Sequence, residues 1–63
     1  MKDNSPAIFI REDKAQEIAA KINASGPHIV AYVSTAWERH EIKGYNIRIR
    51  GARLTNDEVE PYV

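Results

Sequence analysis

The feature that most constrains this chain is a run of period-two alternation across residues 28–54, HIVAYVSTAWERHEIKGYNIRIRGARL. Side chains on a strand alternate between faces, so this period predicts two β-strands folded back on each other. One parity holds Ile29, Ala31, Val33, Thr35 and Trp37, then Tyr45, Ile47 and Ile49. The other holds Val30, Tyr32, Ser34 and Ala36, then Asn46, Arg48 and Arg50. Opposed residues of an antiparallel pair share a face, so each set stays together across the hairpin. The first set is apolar and predicts the core face. A tight turn at residues 41–44 is expected, setting Trp37 beside Ile47, Arg48 beside Ala36 and Arg50 beside Ser34. Trp37 then belongs to the rim of the core, where its indole N–H can find a partner. An interface anchor is its alternative role.

The segments before the hairpin read as cover for one of its faces. Residues 1–6 are polar, end in Pro6 and predict a flexible leader, leaving residues 7–63 as a single α+β domain. Ala7, Ile8, Phe9 and Ile10 make a short apolar run expected as a first strand. A helix follows. Asp13 is the expected N-cap, with Gln16 completing a capping box and Glu17 in the first turn. Ala15, Ile18, Ala19 and Ile22 recur at the spacing of one helical face, and Lys14, Glu17 and Lys21 take the wet side. Ser25, Gly26 and Pro27 end it, with glycine expected in a left-handed cap. Beyond the hairpin, Gly51 marks a bulge or strand end. Residues 55–58 could cap a helical turn through Thr55 and Glu58, but a turn into a short edge strand of Val59, Pro61 and Tyr62 is the favoured reading. The sum is a small two-layer β-α-β-β domain, with one helix packed on a three- to four-stranded, mainly antiparallel sheet.

Sixty-three residues are near the lower limit for a self-supporting core. Nine basic and nine acidic residues cancel, so total charge points to no partner. Its distribution is uneven: residues 28–54 carry five bases against two acids, and residues 55–63 carry Asp57, Glu58 and Glu60 with no base. The acidic end is expected to fold back along the arginines and mask them. No cysteine is present, which excludes disulfides and thiolate metal sites. A secreted domain this small usually needs such staples, so a cytoplasmic location is expected. No stretch is long and apolar enough to suggest association with a membrane.

Chemistry concentrates in Tyr32, Arg48, Arg50 and Arg53. Guanidinium groups on alternate strand positions beside an aromatic ring offer forks for carboxylates on a protein partner. They could equally hold phosphates while a base stacks on the ring, which makes a nucleic-acid binder the alternative. An ordinary solvated sheet face is the plainest explanation of the same residues. His28 and His40 match no closed metal site, and no cofactor, nucleotide or catalytic motif is present. The expected function is therefore a non-catalytic protein-interaction domain, a stand-alone inhibitor, adaptor or regulator of a larger protein. With one helix for two sheet faces, a homodimer is also expected, through the Val30 and Tyr32 face or through an edge strand.

Overall fold

Ile18 and Ile47 meet at the centre of the molecule, both wholly removed from solvent, and the elements are arranged around that contact. The computed structural model describes residues 4–63. In chain order it has α1 (Glu12–Ala24), β1 (Ala31–Glu38), β2 (Glu41–Ile49), β3 (Ala52–Arg53), α2 (Asn56–Val59) and a 3₁₀ turn (Glu60–Tyr62). The strands form one antiparallel sheet in the order β1-β2-β3. One long helix on a small antiparallel sheet makes this an α+β fold. The stripe Ala15, Ile18, Ala19 and Ile22 is buried throughout, and the two alanines let α1 lie close against β1 and β2. Burial of each isoleucine contributes about 1.5–3 kcal/mol.

Residues 7–10 do not make a regular strand. Phe9 makes an isolated bridge to Tyr45, beside the edge of β2 that β3 leaves open, and Pro6, just before this run, makes another to Thr55. Phe9 and Tyr45 exchange backbone hydrogen bonds of 2.9 and 2.8 Å, and the Ala7 N–H donates to the Leu54 carbonyl. Asn46 then holds this segment down: its amide donates to the Ala7 carbonyl at 2.8 Å, and the residue is 2% exposed. Ser5, assigned above to the leader, accepts from the Asn56 N–H at 3.0 Å. The first three residues of that leader lie outside the described residues.

Several local expectations are corrected. The hairpin turn is at Arg39 and His40, not at residues 41–44. Both take positive φ, 50° and 67°, in a two-residue connection between Glu38 and Glu41. Asparagine and glycine are the usual residues there, so Arg-His carries no turn signal. Gly44, which suggested the turn, serves a different need. A Cβ at Gly44 would lie 2.6 Å from the Phe9 carbonyl oxygen and 2.7 Å from the Ile8 Cγ2, so glycine is what lets the N-terminal segment approach β2. The resulting register pairs Val33 with Ile47 and Tyr32 with Arg48. A bulge between Ala36 and Trp37 leaves Lys43 without an opposite residue.

Trp37 is accordingly not a core residue; it is 64% exposed and paired with the exposed Ile42 near the hairpin tip. At the start of α1 the N-cap is Arg11, with no side-chain cap bond. Asp13 sits inside the first turn, where its carboxylate accepts from the Lys14 N–H and from Arg11. At the other end Ser25 caps the helix in a right-handed conformation, its hydroxyl donating to the Ile22 carbonyl. Gly26 does not take positive φ. The expected edge strand after residue 55 is instead a helical turn with a complete capping box between Thr55 and Glu58. Pro61 falls in the first turn of the 3₁₀ segment, where no N–H is needed.

Candidate functional site

The sheet face opposite α1 carries the chemically biased residues. Pairing of Tyr32 with Arg48, and of Arg48 with Arg53, lines up one residue from each strand in a single row. Opposed residues share a face, so Tyr32, Arg48 and Arg53 stand side by side on the side away from the core. Tyr32 is 44% exposed, and Arg53 is exposed too.

Arg48 is half-buried and fixed in place. Its Nε donates to the Ser34 hydroxyl at 2.9 Å and its Nη1 to the Gly51 carbonyl at 2.7 Å. A guanidinium has donors in a rigid planar fork, so two bonds set its plane while the remaining donors stay available. The Arg53 side chain makes no hydrogen bond or ion pair with the described residues. The row therefore combines an oriented cation, an untethered cation and an aromatic ring. That set can grip a carboxylate or a phosphate and cover an apolar group beside it.

Arg50 does not join the row. It occupies the β2–β3 turn with φ 53°, followed by Gly51 at φ 82°. This second tight turn carries its side chain to the helix side, where it lines an open cleft of about 460 Å³ with Ile22, His28, Ile49 and Glu58. Alternation holds only along a strand, so extending parity into the turn misassigned Arg50.

The acidic end does not run back along the arginine row either. Val59 is buried in the core beside Ile18 and Ile22, and Tyr62 approaches Ser25 at the end of α1. The C-terminal turn thus belongs to the helix layer. Glu58 directs its carboxylate to the Thr55 N–H and hydroxyl, both at 3.1 Å. Ion pairs within the described residues include Arg11 with Asp13, Lys14 with Glu17 and Lys43 with Glu41, all exposed. Such pairs contribute at most about 1 kcal/mol each.

His28 borders the cleft and His40 forms the hairpin turn, at opposite ends of β1. Among the described residues no three His, Asp or Glu side chains are grouped as a metal site, and no helix is long and apolar enough to cross a membrane.

Reasoning from sequence missed Ser34 as the anchor of Arg48. The turn at residues 39–40 and the bulge at Lys43 together set Ser34 diagonal to Arg48; without the bulge Ser34 would oppose Tyr45 on the other face. Compared with protein-family models, with curated proteins and with solved structures, the chain matches none.

Proposed function

We propose that this chain is a small non-catalytic interaction domain, an inhibitor, adaptor or regulator that docks on an acidic surface of a larger protein. The row of Tyr32, Arg48 and Arg53 supports this reading. A fixed guanidinium costs less order on binding than a free one, so it suits bidentate recognition of a carboxylate in one geometry. Tyr32 beside it supplies apolar area with a polar tip, the kind of residue enriched at interface anchors. The net charge of zero favours a shaped partner over a polyanion, which rewards accumulated positive potential. A cytoplasmic site of action fits the absence of cysteine.

Copurification from the source cells tests the proposal, using the wild-type chain and Tyr32→Ser and Arg53→Glu variants, with and without nuclease. A protein that stays bound after nuclease and is lost from both variants supports it. Binding that nuclease abolishes replaces it with nucleic-acid recognition. In that case, affinity for a labelled oligonucleotide should fall steeply with salt, because each phosphate contact releases counterion.

A further inference from the structure

We infer that the free edge of β1 is a self-pairing surface, through which two copies of this chain join antiparallel about a two-fold axis at Thr35. The proposal is independent of what binds the arginine row.

The sheet order leaves β1 at an edge, with β2 as its strand neighbour. In an antiparallel sheet each residue directs both its N–H and its C=O to the same side, and successive residues alternate. Tyr45 directs both groups to Phe9, and Ile47 accepts from Leu54, so the odd residues of β2 face away from β1. Its even residues face β1, where Asn46 opposes Ser34 and Arg48 opposes Tyr32. Ser34 and Tyr32 therefore spend their backbone groups on β2. Ala31, Val33, Thr35 and Trp37 point theirs outward.

Ala31 is already satisfied. The Asn23 side chain, reaching from the last turn of α1, accepts from the Ala31 N–H at 2.5 Å and donates to the Ala31 carbonyl at 3.0 Å. One amide side chain thus closes the edge at that end in the manner of a neighbouring strand. Val33, Thr35 and Trp37 have no such clamp, and among the described residues no strand lies beside them. Unpaired groups on an edge are a template for another strand, and proteins normally protect them with charge, proline or cover. From residue 31 to residue 37 the strand reads AYVSTAW, with neither charge nor proline.

The position of the three open residues selects the partner. A continuous sheet with both helices on one side requires that residues of like parity oppose each other across the new pair. With the two-fold axis at Thr35, Thr35 opposes its own copy and Val33 of one copy opposes Trp37 of the other, and the reverse. Each such pair exchanges both N–H···O bonds, so the groups that Asn23 leaves open are all used. Moving the axis to Ser34 would oppose Trp37 to the clamped Ala31. The same arrangement sets Ser34 across from Ala36 of the second copy. An exposed tryptophan thereby gains cover against the second copy's Val33. The product is a single six-stranded sheet with two helices on one side and two arginine rows on the other.

The test uses the full chain. Sedimentation equilibrium should show a dimer at high micromolar concentration. Thr35→Pro should raise the dissociation constant by about tenfold or more, since proline removes an outward N–H twice per dimer. Its effect within a monomer is limited, because that N–H faces solvent. Amide hydrogen exchange on the unmodified chain gives a second reading. Protection of Val33 and Thr35 should grow with protein concentration, while Tyr32 and Ser34 are protected throughout. A chain that remains monomeric at high micromolar concentration overturns the proposal. So does a dimer in which Val33 and Thr35 exchange as freely as in the monomer, or one that a folded Thr35→Pro variant still forms unchanged. Protection of those two amides only when a different protein is added assigns the edge to that protein instead.

Discussion

The base and the tip of the hairpin share one alternating pattern and meet opposite fates. At the base Ile47 is wholly buried beneath α1, while Trp37, of the same parity, is 64% exposed at the tip. The reach of the helix makes the difference. Phe9, just before α1, pairs with Tyr45, and Asn23, near its end, bonds to Ala31. Thirteen residues of helix span about 20 Å, whereas an eight-residue strand spans about 27 Å. The helix therefore covers the hairpin from Tyr45 to Ala31 and stops short of the turn. Parity sorts residues by face; it does not say how much of that face another element covers.

The sharpest way to break this comparison is to truncate both residues. Ile47→Ala should cost about 2–5 kcal/mol, enough to unfold much of a domain this small, as read by urea denaturation. Asn46→Ala comes next. It leaves the buried Ala7 carbonyl without its donor, at a cost of about 1–3 kcal/mol. Amide exchange should show residues 7–9 opening before the hairpin does; simultaneous loss would mean that Asn46 supports the whole core.

At the tip the expected changes are smaller, and one has the opposite sign. His40→Gly should stabilise the fold by about 1 kcal/mol, because glycine takes positive φ without the strain a histidine bears. A fall in thermal midpoint would show that His40 makes a contact worth more than that strain. Trp37→Ala should change monomer stability by no more than about 0.5 kcal/mol when measured in dilute solution. A loss as large as that of Ile47→Ala would mean that the tip is packed after all.

Much of the fold is legible in local pattern. The α1 stripe appears in the sequence as isoleucine and alanine at helical spacing, and all four positions are buried. Tyr32 and Arg48 fall on one face by parity because the extra residue at Lys43 restores an even register beyond the two-residue turn, and Arg53 joins them only through the β2–β3 turn. Arg50 could not be placed this way, since it lies in a turn where alternation ends. Turn identity itself was hidden. Glycine normally announces a tight turn, but here Gly44 answers a steric demand from Phe9, and Arg39 and His40 turn the chain.

Residue order by itself determined the helix, the two long strands and which side chains share a face within each of them, because these follow from periodicities within a few residues. Tertiary structure decided the register, the exposure of Trp37 and the uses of two asparagines. Asn46 pins the N-terminal segment and Asn23 seals one end of the β1 edge, each through a hydrogen bond to a residue far along the chain or on another element. Nothing near an asparagine in sequence reveals such a partner. A polar side chain is buried only where distant backbone groups happen to need it, and that need exists only once the layers have met.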